Sequence, residues 1–299
     1  MTIRLANAPV SWGIYEFEGL VQTYTYQRVL DEIVDTGYTG IELGPYGFLP
    51  TDPEVLRTEL DSRKLRLLSA FVPVNFVNPA VIDEAEATAL KVGRLLASQG
   101  AIAVVLAADN GSDPDLVKRA GKRAGQSALS SDEWDVFASG VNRVARKIYG
   151  ELGLKVVFHH HCAGVVETAE ETRNLMGRAD HDLVGLCLDT GHWNFAGGNA
   201  LDAVREYGER VRYLHLKDCD PAIRQEAIDR DLDYFESAAL GVFCELGRGD
   251  VQFPDLIQQM DALHYDGWAV VEQDVLNASD DAPRQSARRN REYLQSLGL

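Results

Sequence analysis

The chain has 299 residues, 45% hydrophobic and 25% charged, the balance of a globular protein able to bury a sizeable core. Its formal net charge of −17 repels phosphate backbones and argues against nucleic acid as a partner. No apolar run is long enough for a bilayer, no basic-then-apolar signal opens the chain, and the four cysteines (Cys162, Cys187, Cys219, Cys244) are too scattered for a disulfide framework, so a cytoplasmic protein with reduced thiols and no membrane partner is expected.

The first apolar, β-branched run covers residues 3–10 and is followed by an amphipathic stretch over 26–36. A second strand at 40–43 precedes a helix over 52–62, where Asp52-Pro53 supplies a cap and a first-turn proline. Strands at 65–72 and 101–107 lead into helices over 83–98 and 132–152. The fifth strand, 155–161, ends in three consecutive histidines. The helix over 168–178 then opens with Thr168 and Glu171 in capping-box spacing. Strands at 184–189, 211–217 and 268–273 alternate with helices over 200–209, 254–263 and 282–297. Eight strands, each followed by a helix, predict an α/β fold of the (β/α)8 TIM barrel type, a single domain over 1–299. An open doubly wound sheet needs fewer units, and no G-x-G-x-x-G follows the first strand. The stretches 110–131 and 219–249 are too long for simple turns and are expected to act as lids or interface segments.

In a barrel the C-terminal ends of the strands carry the site, and polar residues stand there. Glu42 ends the second strand in "GIELG", and His159, His160 and His161 end the fifth. Asp189 and then His192 end the sixth in "LCLDTGH". His215, Lys217 and Asp218 end the seventh in "LHLKD", and Glu272 ends the eighth in "AVVEQD". Burying an isolated ion costs several kcal/mol, so such carboxylates call for a metal or a partner. Asp189, His215 and Glu272 come from three adjacent strands and form a donor set suited to Mn²⁺, Co²⁺, Zn²⁺ or Fe²⁺; salt-bridged core residues are the alternative. Strand alternation sends His159 and His161 one way and His160 the other. If the first two face the mouth, one can complete a metal shell and the other can move protons. The alternative is that only one of the three is functional. Cys187, two residues before Asp189, reads as barrel filling, and no cysteine is assigned to catalysis.

"LCLDTGH", "LHLKD" and "AVVEQD", in this order and spacing, resemble the sugar isomerase, epimerase and dehydratase superfamily of xylose-isomerase-like TIM barrels. Within it, "NAPVSWGIYEFEG", "GIELGPYGFLP" and "FHHHCAG" are most similar to the inosose (2-keto-myo-inositol) dehydratase family, and the likeness spans essentially the whole chain. The resemblance implies one divalent metal ion at the barrel mouth, held by Asp189, His215 and Glu272. Many relatives add a glutamate at the end of the fifth strand, where this chain has histidines. His159 is the nearest match for that fourth ligand, with His161 and Glu167 as alternatives. The missing glutamate and the negative charge disfavour a multi-metal, DNA-cleaving site.

The implied reaction is dehydration of a cyclic keto-polyol through a metal-stabilised enediolate, making the chain a hydro-lyase acting on a small-molecule substrate. On this expectation the catalytic candidates are His161 and His192, which would move protons, Lys217, which would neutralise the enediolate, and Glu272, a ligand lying next to the substrate. Glu42, Trp12 and Arg248 are candidates for hydroxyl recognition; Trp12 can equally be a plug in the barrel rim. The same intermediate would serve a keto-sugar isomerase or epimerase, the runner-up reading. A non-catalytic sugar-binding barrel comes third. The family resemblance also implies a homo-oligomer.

Overall fold

The computed structural model describes residues 3–15, 24–274 and 281–299; the end of the "NAPVSWGIYEFEG" stretch, 16–19, lies outside them. The order is β1 (Arg4–Asn7), α1 (Tyr26–Asp35), β2 (Gly40–Ile41), α2 (Pro53–Arg63), β3 (Arg66–Leu67), β4 (Phe71–Val74), α3 (Ile82–Ser98), β5 (Ala103–Ala108), α4 (Pro114–Arg119), α5 (Ser131–Leu152), β6 (Lys155–His159) and α6 (Ala169–Arg178). There follow β7 (Val184–Asp189), α7 (Thr190–Phe195), α8 (Ala200–Tyr207), β8 (Val211–Leu216), β9 (Asp218–Cys219), α9 (Pro221–Asp229), α10 (Tyr234–Leu240), β10 (Phe243–Cys244), α11 (Phe253–Ala262), β11 (Trp268–Val271) and α12 (Ala282–Ser296).

Among the described residues, nine strands form one parallel sheet in the order β3-β2-β1-β11-β8-β7-β6-β5-β4. The two ends of that order are consecutive in the chain. Between them, Ser69 O accepts Leu43 N at 2.9 Å and Ala70 O accepts Val105 N at 3.0 Å, so the sheet closes on itself. The third strand expected at 65–72 is thus real but broken, and the result is the expected TIM barrel.

Parity explains the layering. Alternate residues of each strand face opposite sides. Val184, Leu186 and Leu188 of β7 join the large outer core under the helices, while Cys187 joins Val157, Tyr213, Trp268 and Val270 inside the barrel. One step further toward the C-terminal end, the same inner parity carries His159, Asp189, His215 and Glu272. The barrel is filled with apolar side chains below and polar ones at its mouth. The helix ends follow local chemistry. Asp52 accepts from Glu54 N and Val55 N with Pro53 in the first turn, and Thr168 and Glu171 cap each other reciprocally.

The two long stretches are folded rather than open. The first carries α4; the second carries α9, α10 and the antiparallel pair β9–β10. They meet in a separate apolar cluster with Val117, Phe195, Tyr234 and Phe243, set beside the mouth. Arg224 of α9 donates to Phe195 O at 2.8 Å and Gly121 O at 3.3 Å, tying this cap to the barrel loops. Among the described residues no helix is long and apolar enough to cross a membrane, and all four cysteines are free thiols.

Candidate metal centre and active site

Four inner-face residues at the ends of β6, β7, β8 and β11 converge. One donor atom each from His159, Asp189, His215 and Glu272 lies within 4.8 Å of the others. That is close to the spread that four donors at ~2.0–2.2 Å from one ion require. His215 Nδ1 is 3.3 Å from Glu272 Oε2 and 3.9 Å from Asp189 Oδ2; His159 Nε2 is 3.6 Å from Asp189 Oδ2. Asp189 Oδ2 and His215 Nδ1 are both buried without a hydrogen-bond partner, a costly state for such groups unless something else satisfies them. A cation would do so, and it would add to the one ammonium, Lys217, that the buried carboxylates Asp189, Glu272 and Asp274 share. The donor set fits a divalent ion.

Second contacts fix these donors. Glu42 Oε1 accepts His215 Nε2–H at 3.1 Å and the Ser69 hydroxyl at 2.8 Å. With Nε2 donating to Glu42, Nδ1 is the atom that faces the cluster and would offer its lone pair to a bound ion. Asp189 uses its two oxygens differently: Oδ1 caps α7 by accepting His192 N at 2.8 Å, which leaves Oδ2 toward the cluster. That short helix was not expected from sequence; an aspartate serving as strand end, cap and ligand candidate at once is what hides it.

Lys217 Nζ lies at the centre of the charges. It is 3.4 Å from Asp189 Oδ2, 3.3 Å from Glu272 Oε2, 3.1 Å from Asp274 Oδ1 and 3.1 Å from His192 Nε2. Burial alone would strip its proton, but Asp189, Asp274 and Glu272 together hold it well above the usual lysine value. Burial likewise opposes the ionised Glu272, and His215 and Lys217 overcome it, bringing its carboxyl down to about 2. His161 is pushed down to about 3 by burial, with the positive side of His159 and Lys217 adding to the effect. Its imidazole is neutral at ordinary pH. His161 Nδ1 is 2.6 Å from Cys162 O, so it donates there and leaves Nε2 as the free acceptor.

Most of these groups line a cavity of about 550 Å³, a figure that includes space open to solvent. His159, His161, His215, Lys217 and Glu272 border it, with Glu42. His160 does not. It faces the helix layer, edge-on to Trp193 at 4.9 Å, and accepts Asp189 N at 3.1 Å. His192 is not on the wall either; its ring is 4.0 Å from that of His161 and its Nε2 meets Lys217.

Three expectations are corrected. Trp12 is 1% exposed and donates its Nε1–H to Glu32 at 2.7 Å, away from the cavity. Pro9 ends the β1 ladder, and the 3-10 turn Pro9–Trp12 that follows resets the side-chain direction. Arg248 has 67% of its side chain exposed and pairs with Glu245 on the surface. Glu167 is not near the ligand cluster. Its carboxylate accepts Gly121 N at 2.9 Å and Ala163 N at 3.0 Å, with Arg123 Nη1 3.6 Å away. Glu42, expected to touch hydroxyls, does border the cavity, but its Oε1 is engaged by His215 and Ser69.

Sequence reasoning missed Asn110 and Asp274 on the same wall, and reached Tyr234 only as one aromatic of the 219–249 stretch that could cap the site. Asp274 had a signal: it lies two residues after Glu272, on the same parity. Asn110 lies three residues past the end of the fourth expected strand, in "LAADN". Tyr234 comes from the cap, and nothing local in the sequence points it inward.

The xylose isomerase-like TIM barrel family model matches residues 30–297. An inosose dehydratase of Geobacillus kaustophilus is 32% identical over 98% of this chain and 94% of its own length. An inosose dehydratase of Lacticaseibacillus casei is 30% identical over 99% of this chain and 97% of its own length. Among solved structures, the IOLI protein with a bound zinc atom superposes with a TM-score of 0.71 at 14% identity, covering 99% of this chain and 96% of that one.

Proposed function

The chain belongs to the inosose dehydratases of the xylose isomerase-like TIM barrel family and is a hydro-lyase, and from that premise we propose that it removes water from 2-keto-myo-inositol at the barrel mouth, with a divalent ion held by His159, Asp189, His215 and Glu272. The observation that supports this most is the convergence of those four donors beside an ammonium and a neutral imidazole at a cavity that His159, His215 and Glu272 border. A bound ion there supplies Lewis acidity toward a ketone oxygen.

The chain's own residues supply the proton chemistry. The substrate must lose the proton α to its ketone and the hydroxyl on the next carbon. His161 Nε2, unprotonated and on the cavity wall, is placed to take the α-proton. The electron pair of that C–H bond is first held as the enolate of the ketone, and it forms the carbon–carbon double bond when the β-hydroxyl departs. Lys217 gives that oxygen a proton, so water leaves. The enol left behind tautomerises to a 1,2-diketone without net gain or loss of protons. His161 is then protonated and Lys217 neutral; His192, in contact with both, is placed to return the proton.

The buried ammonium favours elimination over isomerisation, because expelling a hydroxyl needs an acid that returning a proton to carbon does not. Glu42 acts by holding His215. His161→Ala tests the assignment. It should keep its metal and lose about 100-fold or more in turnover, the share of a positioned base. Unchanged kcat would remove His161 from the mechanism.

A further inference from the structure

Asp274 enters neither the ligand set nor the proton steps above, yet it is 8% exposed and borders the cavity. Both of its oxygens face Lys217 Nζ, at 3.1 and 3.2 Å. The other charged contacts of that ammonium are Asp189 Oδ2 and Glu272 Oε2, the two oxygens that also face His215 Nδ1 in the candidate ligand set. One oxygen cannot give its lone pair fully to both the ammonium and a bound ion. Once an ion takes those two, Lys217 keeps Asp274 and His192 Nε2 as its uncontested partners. A lysine stem has four rotatable carbon–carbon bonds, so its ammonium is only as well placed as its anchors make it.

We propose that Asp274 is the positioning residue that orients Lys217 for protonating the departing β-hydroxyl, and so sets how often the deprotonated substrate goes on to lose water. This rests on Lys217 being the acid and His161 the base. The roof above the pair is apolar on one side: Phe243 lies with its ring 5.2 Å from Lys217 Nζ, and it offers the ammonium no competing hydrogen bond. Tyr234 OH is 3.5 Å from Asp274 Oδ2 and borders the same space.

The test compares wild type, Asp274→Asn and Asp274→Glu as metal-loaded full-length protein, with 2-keto-myo-inositol in D₂O. Mass spectrometry follows two numbers: deuterium entering recovered substrate, and loss of one water. Asn has the shape of Asp without its charge, and metal content with a thermal melt confirms that each variant is folded and loaded. Asp274→Asn should exchange the α-proton at or above the wild-type rate while dehydration falls about 100-fold, the scale of a displaced proton donor. The exchange-to-dehydration ratio therefore rises, which a general structural defect would not cause. Asp274→Glu restores the charge and should recover part of the lost dehydration. Equal falls in exchange and dehydration, or dehydration unchanged in Asp274→Asn, would overturn the role of Asp274. Wild type that neither exchanges nor dehydrates would overturn the proposed function itself, and that is seen before any variant is compared.

Discussion

Glu42→Gln separates two roles for one carboxylate. In the structure Glu42 Oε1 accepts His215 Nε2–H at 3.1 Å, inside a site where Glu42 is 3% exposed. A charged acceptor at this position orients the ring and raises the electron density of Nδ1, the atom aimed at the ligand cluster. A hydrogen bond to a charged group contributes about 1.5–3 kcal/mol, and each 1.4 kcal/mol is a factor of ten. Glutamine retains a neutral acceptor, so the loss should approach the middle of that range, a roughly 10–100-fold weaker metal affinity, which matches the usual effect of removing such an outer partner. Competition against a fluorescent chelator reads this directly. At saturating metal, KM for the keto-polyol should stay within about threefold of wild type, since Oε1 is already engaged. An unchanged metal affinity with a KM raised tenfold would refute the reasoning and return Glu42 to hydroxyl recognition.

Two further outcomes concern the scaffold. Burial raises the Glu167 carboxyl from 4.5 to about 7, against the opposing pull of Arg123 and the backbone N–H groups of Gly121 and Ala163. Because the folded value is the higher one, its contribution to stability is complete below about pH 4.5 and is lost as pH rises toward 7; at ~1.4 kcal/mol per unit this is about 3 kcal/mol. Denaturant melts of wild type and Glu167→Gln between pH 4.5 and 8 should show their stability difference shifting against wild type across that window, and a difference independent of pH would contradict it. Asp218 accepts four backbone N–H groups, from Cys219, Gly247, Gly249 and Val251. A Cβ on Gly249 would lie 2.3 Å from Asp218 Oδ1. Gly249→Ala should therefore cost about 1–3 kcal/mol in a denaturant melt, and a neutral result would mean the loop relaxes freely.

The barrel was legible because its strands repeat one pattern, apolar on both faces until the last residue turns polar. Asp189, His215 and Glu272 stood out for that reason, and parity linked His159 to them. What escaped was set by long-range packing. Trp12 reads as a mouth residue only if β1 continues, and Pro9 stops it. Arg248 sits in a loop whose backbone is anchored by Asp218, which leaves its side chain outside. The helices α9 and α10 carry short apolar faces that bury against α4 and α7 rather than against the sheet, so the length of the two stretches suggested a lid but not the helices that build it. Tyr234 reaches the cavity only through that cap. Glu42 was recognised as polar at a strand end, but its contact with His215, across the barrel mouth, depends on closure of the sheet.

The account depends most directly on metal-dependent water loss. The measurement is mass spectrometry of 2-keto-myo-inositol incubated with the protein loaded with Mn²⁺ or Co²⁺, beside a chelated control. The account predicts that substrate loses one water in the loaded sample and none in the control, and that added metal restores the activity. Substrate that loses no water in the loaded sample, whether or not deuterium enters it from D₂O, would contradict it.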